Sequence, residues 1–152
     1  MTFLRTSVLA LLAGWLLAAA PNFSGTWKLD VAKSDWGQFP PPDSATLLIE
    51  HKDPALKVSA EQVGGMGAGK ADYAYTTDGK ECTNTVRGTE RKSKVTWKGE
   101  LLSLAHKFSV QGADITSNDT WTLSDDGKTM TQVREISSPQ GDLTLKLIYN
   151  KQ

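Results

Sequence analysis

The sequence predicts an all-β protein: a closed antiparallel up-and-down meander barrel of 8–10 strands, with no helical lid pair. Three observations carry that expectation. Beyond Pro21 no stretch sustains a helical period of apolar residues, and period-two alternation recurs instead. Turn dipeptides punctuate the alternation at short intervals. Asp78-Gly79 and Asp126-Gly127 are the strongest, because a type I′ hairpin needs positive φ at both central residues. Finally, about ten strands in about 132 residues cannot each bury one face in a flat open sheet, whereas closure gives every strand an inside and removes exposed edges.

Taken in order, the chain begins with a segment that is not part of this domain. Met1–Ala20 reads as a signal peptide: Arg5 supplies a positive start, Thr6 to Leu17 is nearly all apolar, and Ala18-Ala19-Ala20 offers small residues to a peptidase. An apolar run of about 15 residues falls short of the roughly 20 needed to span a hydrocarbon core. The expectation is export to the periplasm or the extracellular space, with no stable membrane span once the signal is removed. Residues 21–152 then form a single domain.

The charge balance is 17 basic against 17 acidic side chains, and loss of Arg5 leaves 16 against 17, a net −1. Such neutrality argues against a nucleic-acid binder, which usually carries a basic stripe. A hydrophobic content of 39% with 22% charged residues excludes a disordered chain. Cys82, the lone cysteine, excludes an internal disulfide framework and any Cys-based zinc site.

Strands are expected at 23–31, 45–51, 56–62, 70–77, 80–87, 92–97, 100–110, 113–123, 129–136 and 143–150. Lys98-Gly99 and Gln111-Gly112 read as further two-residue turns. The turns allow an internal test. A two-residue loop at Asp126-Gly127 sets Trp121 opposite Gln132 and Asp119 opposite Arg134. The Gln111-Gly112 loop sets Phe108 opposite Ile115 and Leu104 opposite Asp119. Asp78-Gly79 pairs Tyr75 with Cys82 and Tyr73 with Asn84. Opposed residues share a face. The sets Leu102/Leu104/Phe108/Val110, Ile115/Trp121/Leu123 and Met130/Ile136 then fall on one side, an agreement that a one-residue slip would destroy. The connections at 52–55, 78–79, 98–99 and 126–127 are short and lie at one end, a closed bottom. Those at 32–44, 63–69, 88–91, 111–112 and 137–142, most of them longer, form a loose mouth.

Three short motifs carry a family likeness. Asn22-Phe23-Ser24-Gly25-Thr26-Trp27-Lys28-Leu29 resembles the Gly-x-Trp start of the calycin group, which holds lipocalins and fatty-acid-binding proteins. Val95-Thr96-Trp97-Lys98-Gly99 and Leu147-Ile148-Tyr149-Asn150-Lys151 resemble the fatty-acid-binding pattern in particular, and the chain also resembles exported bacterial lipocalin-like proteins. The resemblance implies a β-barrel enclosing a hydrophobic or amphipathic small molecule. Two departures follow. Fatty-acid-binding proteins place two helices after their first strand, where Pro40-Pro41-Pro42 forbids a helical pair here. Their last strand carries an Arg two residues before its Tyr; here Tyr149 is kept, but that position is Leu147.

The candidate ligand-binding residues are Tyr73, Tyr75, Asn84, Trp97, His106, Asp119, Trp121, Arg134 and Tyr149, which add polar tips to an apolar wall as ligand pockets do. Asp119 and Arg134 form either a self-satisfied internal ion pair or a ligand anchor in which Asp119 orients the planar Arg fork. His106 points inward beside Ser117, as hydrogen-bonded lining or as a metal or haem ligand; His51 lies at the opposite end and cannot share a metal with it. Trp27 reads as a plug at the base, while Trp97 and Trp121 either line a cavity or fill it. Gly64-Gly65-Met66-Gly67-Ala68-Gly69 lacks the Lys-Ser/Thr and the helix of a phosphate loop and reads as a flexible connection. Trp36-Gly37-Gln38-Phe39 beside the prolines reads as a packed surface loop, a lid or a docking segment.

No catalytic constellation, metal-ligand spacing or cofactor motif emerges. The leading expectation is an exported, monomeric barrel that binds or carries a small hydrophobic or amphipathic ligand. One alternative is an interaction or inhibitor barrel with a filled core, acting through its mouth loops. The other is an enzyme or haem protein using His106.

Overall fold

The computed structural model describes residues 19–152, so the export signal expected over Met1–Ala20 lies outside the described residues but for its last two alanines. Ten strands follow: β1 (Gly25–Leu29), β2 (Ser44–Lys52), β3 (Ala55–Val63), β4 (Gly69–Thr76), β5 (Asp78–Val86), β6 (Thr89–Lys98), β7 (Leu101–Val110), β8 (Ala113–Leu123), β9 (Thr129–Ser138) and β10 (Gly141–Lys151). All pair antiparallel in the order β4-β3-β2-β1-β10-β9-β8-β7-β6-β5, and no helix occurs among the described residues. The meander is a nearly closed barrel, as the alternation predicts.

The register of the second half is the one the turns specify. Asp119 stands opposite Arg134, Trp121 opposite Gln132, Phe108 opposite Ile115 and Leu104 opposite Asp119. Alternate residues are buried as period-two side chains must be, for example Leu102, Leu104 and His106 on β7. Two turns adopt positive φ at both central residues, Arg87-Gly88 and Gln111-Gly112, as type I′ hairpins require. At Asp126-Gly127 only the glycine does, and the connection is wider: Ser124 and Thr129 close it through Ser124 N–H to Thr129 O at 2.9 Å. A loop lengthened equally on both sides keeps the register.

Three expectations about connections are corrected. Lys98 pairs with Leu101, so Gly99-Glu100 is the turn rather than Lys98-Gly99. The mouth connections after β5 and β9 are two-residue turns, because those strands and their partners extend to Val86–Thr89 and Ser138–Gly141. Only the 30–43 and 64–68 segments remain as longer connections at the mouth. Third, Asp78-Gly79 does not form a hairpin. β4 and β5 are the two ends of the sheet order and share no ladder; Thr77 alone separates them, and Gly79 lies within β5 beside a register shift.

Side chains sew that seam instead. The Asn84 amide accepts from Ala74 N–H (2.8 Å) and donates to Ala74 O (3.1 Å), presenting to β4 the donor and acceptor a neighbouring strand would. Thr76 N–H points to Cys82 Sγ at 3.2 Å, and at the mouth Arg87 donates to the carbonyls of Gly67 and Ala68.

The lower half of the barrel is filled. Phe23, Trp27, Leu56, Val95, Leu102 and Met130 are wholly buried there, each large apolar side chain contributing about 1.5–3 kcal/mol. Trp27 plugs the base as expected, its Nε1–H donating to Phe23 O at 2.8 Å. Phe23 shares that role, stacked on Trp97 and edge-on to Trp121. Beneath them Asp53 Oδ1 accepts from Thr77 Oγ1, Trp97 Nε1 and His51 Nε2, a cluster that ties β2, β6 and the β4–β5 corner together.

The segment between β1 and β2 is an ordered strap of turns, in keeping with the prolines and not with a helical pair. Asp35 pairs with Lys146 on β10, and the Phe39 N–H closes a turn onto Trp36 O at 3.0 Å. Farther on, Asp43 N–H donates to Val63 O at 2.9 Å, and Gly64 and Gly65 lie so close to Asp43 and Pro42 that a Cβ would stand 2.5 Å and 3.2 Å from them. Strap and Gly-rich connection thus pack backbone to backbone.

Candidate ligand-binding site

Above the filled base, inward positions on adjacent strands become polar. Ser93 on β6 and His106 on β7 share a hydrogen bond (2.7 Å), and Ser117 on β8 donates to Asp119 Oδ1 (2.9 Å). Arg134 on β9 donates from both Nε (2.8 Å) and Nη2 (2.6 Å) to Asp119 Oδ2. Cross-strand pairing produces this belt: Ser93 faces His106, His106 faces Ser117, and Asp119 faces Arg134.

Burial and charge set its protonation. Burial alone would raise the Asp119 carboxyl, but the Arg134 charge and hydrogen bonds outweigh it and hold it below the usual carboxylate range. Asp119 in turn holds Arg134 firmly protonated. Desolvation pushes His106 down to about 4, so the imidazole is neutral near pH 7. The same cause raises the Tyr149 hydroxyl to about 12 and the Tyr75 hydroxyl beyond it.

The belt borders two chambers. An inner one of about 260 Å³ is walled by Tyr73, Tyr75, Arg91, His106, Asp119 and Trp121, among others. An outer one of about 580 Å³ lies between the strap and the apolar ends of β7 to β10, with Trp36, Phe39, Ile136, Leu143 and Leu145 in its wall. Gln62, Met66, Arg134 and Tyr149 belong to both walls. The inner chamber carries Arg91 and Arg134 against Asp119, with Arg87 in its wall engaged on the Gly67 and Ala68 carbonyls. At its rim, Glu61 is already paired with Lys70 (3.5 Å).

Of the nine candidate residues, seven line these chambers: Tyr73, Tyr75, His106, Asp119, Trp121, Arg134 and Tyr149. Asn84 and Trp97 do not. The Asn84 amide is spent on the β4–β5 seam, and Trp97 lies at the base with its indole nitrogen on Asp53 at 3.1 Å. The structure thus places both outside the walls of the two chambers. Among the described residues no cluster of His, Cys, Asp and Glu is arranged to hold a metal ion.

Arg91 was absent from the sequence-derived set. Its guanidinium lies 4.1 Å over the Phe108 ring and 6.0 Å from the Tyr73 ring. The signal in the sequence is its parity with Ser93 and Val95, since β6 begins at Thr89 and not at Lys92. Trp36 was missed as a wall residue because it reaches the outer chamber from the strap, which has no alternation to read.

No family model matches the chain, and no curated protein sequence does. Solved structures do match. Secretory abundant heat soluble protein 4 from Ramazzottius varieornatus is 18% identical, with a TM-score of 0.59 over 86% of this chain and 94% of that one. Zebrafish ileal bile acid-binding protein, complexed with cholic acid, is 16% identical, with a TM-score of 0.60 over 86% of this chain and 98% of that one. Echinococcus granulosus fatty-acid-binding protein 1 is 12% identical, with a TM-score of 0.56 over 85% of this chain and 96% of that one. The fold is that of a calycin-like barrel. Within this calycin-like barrel Leu147, where the resemblance led one to look for an Arg, is an apolar wall residue. The guanidinium comes from the neighbouring strand, where Arg134 pairs across from Leu145.

Proposed function

We propose that the protein is an exported barrel that binds or carries a small amphipathic ligand, its anionic end against Arg91 and Arg134 and its apolar body toward the strap chamber. The observation that carries the proposal is a walled interior lined by three guanidinium groups, Arg87, Arg91 and Arg134, against two carboxylates, Glu61 and Asp119, beside a larger apolar space. The volumes fall in or near the range of about 300–1,000 Å³ typical of small-molecule sites. Arg134 is suited to the task because Asp119 uses its Nε and Nη2, fixing the plane of the fork, while about a third (35%) of its side-chain surface stays accessible. The calycin-like fold supports the reading, since structures of that fold include a bile acid-binding and a fatty-acid-binding protein. Export rests on the character of residues 1–20.

Binding rather than catalysis fits the polar belt. Ser117 Oγ is committed to Asp119, and Ser93, which shares the hydrogen bond with His106 Nδ1, is 1% exposed and lines neither chamber, so no hydroxyl beside the imidazole is open to a substrate.

The test is displacement of 1-anilinonaphthalene-8-sulfonate by straight-chain carboxylates, followed by tryptophan quenching. Saturable one-to-one binding, weakened at least about tenfold in Arg134→Met, is expected for a charge-assisted anchor. A protein that takes up no probe, or an Arg134→Met variant of unchanged affinity, overturns the proposal.

A further inference from the structure

Positive charge in the wall of the inner chamber outnumbers negative. Three guanidinium groups line it, Arg87, Arg91 and Arg134, against two carboxylates, Glu61 and Asp119. Each carboxylate already has a cation of its own. Asp119 lies 2.6 Å from Arg134, and Glu61 lies 3.5 Å from Lys70, which is not a wall residue. Arg87 and Arg91 are left over, for neither forms an ion pair among the described residues. What they touch is neutral. Arg87 donates to the carbonyls of Gly67 and Ala68, and Arg91 lies 4.1 Å over the Phe108 ring. Such contacts hold a guanidinium in place but leave its charge uncancelled.

Both uncancelled charges come from one hairpin. Arg87 stands in the turn between β5 and β6, with φ +53°, and Arg91 follows on β6; Arg134 meets them from β9. The charge of Arg91 is felt inside the barrel. Desolvation is the main reason the His106 pKa falls to about 4, and against the pull of Asp119 the charges of Arg134 and Arg91 press it the same way. In a partly enclosed space such charges act more strongly than in water, and an anion among them is stabilised accordingly. A head with one negative charge answers only one of the two. Size adds a constraint, because the inner chamber of about 260 Å³ suits a compact head, while the apolar space of about 580 Å³ beside it suits a body. A phosphate monoester gathers two negative charges on three oxygens around one atom, an arrangement that guanidinium forks match.

We propose that the ligand is an amphipathic phosphate monoester, its dianionic head among Arg87, Arg91 and Arg134 and its apolar body beneath the strap. This rests on the ligand-binding reading above and deepens it, from an anionic end of any kind to a doubly charged one. Arg87 then has two parts, clasping the 64–68 connection and contributing charge to the head site.

The experiment compares decyl phosphate with decyl sulfate and decanoate, all below their micelle concentrations, by displacement of 1-anilinonaphthalene-8-sulfonate. A phosphate monoester loses its second proton near pH 6, so it is a dianion at pH 8 and a monoanion at pH 5, whereas the sulfate carries one charge at both. At pH 8 the phosphate should bind about tenfold more tightly than the sulfate, and by pH 5 that ratio should fall toward one. Taking the ratio at each pH removes any titration of the protein that affects both ligands alike. Arg87→Gln with Arg91→Gln should bring the pH 8 ratio to about one, whereas Arg91→Lys, which keeps the charge, should retain most of it. Circular dichroism confirms that the variants fold, and the pH dependence of the parent decides the matter without them. A phosphate bound no more tightly than the sulfate at pH 8, a preference undiminished at pH 5, or one that survives the double variant overturns the inference while leaving the ligand-binding reading intact. Inorganic phosphate displacing the probe as well as decyl phosphate would assign the head site to a free phosphate and overturn the amphipathic ligand. Failure of all three decyl compounds to bind removes the inference and the ligand-binding reading together.

Discussion

Arg134 places Nε and Nη2 on a single oxygen, Oδ2 of Asp119, at 2.8 and 2.6 Å, and leaves Oδ1 to the Ser117 hydroxyl. The pairing uses two of the five N–H donors that a guanidinium carries. This offset pairing orients it without exhausting its donors, which reconciles the two roles open to the pair. It is an internal ion pair, and it is built so that the Arg can serve a second acceptor.

Breaking the pair one-sidedly should be costly. Arg134→Met leaves a buried carboxylate without its counter-charge and is expected to lose about 3–5 kcal/mol in urea denaturation. Replacing both partners, Asp119→Leu with Arg134→Met, should restore most of that stability, since an apolar pair of similar volume removes the desolvation penalty. The double variant separates folding from binding: it is expected to fold while failing to hold an anionic probe. If it is as unstable as the single variant, the ion pair is not the cause.

Acid should destabilise the protein in two steps. His106 has a folded pKa near 4, below its usual value near 6.5, so the unfolded chain takes up the proton first. Stability from this group is complete above about pH 6.5 and falls as the pH drops toward 4, by about 3 kcal/mol in all. Asp119, whose folded pKa is depressed, adds stability present above the unfolded carboxylate value near 4 and lost only below it. Urea midpoints for His106→Gln should therefore vary less than those of the parent between pH 7 and 4.5, while the loss below pH 4 persists. Parallel profiles would show that His106 is not the titrating group.

Asn84→Ala should open the seam. Ala74 loses a donor to its carbonyl and an acceptor for its N–H, a cost of about 1–3 kcal/mol. Hydrogen exchange is the direct readout: the Ala74 amide should exchange much faster, while amides in the β8–β9 ladder change only by the global loss of stability. Unchanged protection at Ala74 would mean that the side-chain amide does not close the seam.

Gly65→Val should loosen the mouth without touching the base. Gly65 has φ +67°, and its Cβ position is 3.2 Å from the Pro42 backbone, so a branched residue is both strained and crowded, at about 1–3 kcal/mol. Limited proteolysis should then cut within 30–43 or 64–68 faster than in the parent. Cleavage no faster than in the parent would show that strap and loop do not depend on that contact.

Much of the barrel was legible in the sequence because its determinants are local. Alternation assigns each side chain to a face, and a turn fixes parity across a hairpin, so Asp119 opposite Arg134 and Trp121 opposite Gln132 followed from dipeptides alone. The Asp78-Gly79 hairpin shows the limit of that logic. A type I′ turn sequence permits pairing but does not compel it, and closing a ten-strand meander left its gap there. The candidate wall was legible to the same degree: seven of nine residues line the chambers, and the two that do not are inward residues engaged elsewhere.

The opposition of β7, β8 and β9, the inward direction of the belt and the lack of a helical pair were thus determined by the sequence itself, through period-two geometry and the fixed φ of Pro40-Pro41-Pro42. Tertiary structure decided the rest: that Phe23 and Trp27 fill the lower half and leave the upper half hollow, that Asn84 closes a seam, that Arg91 joins Arg134, and that the strap carries Trp36 over a second chamber. The physical reason is distance along the chain. Asp53 meets Trp97 across 44 residues, and Ser34 meets Ile148 across 114. Contacts of that kind depend on how the sheet closes and what volume its side chains leave, quantities that no window of alternating residues contains.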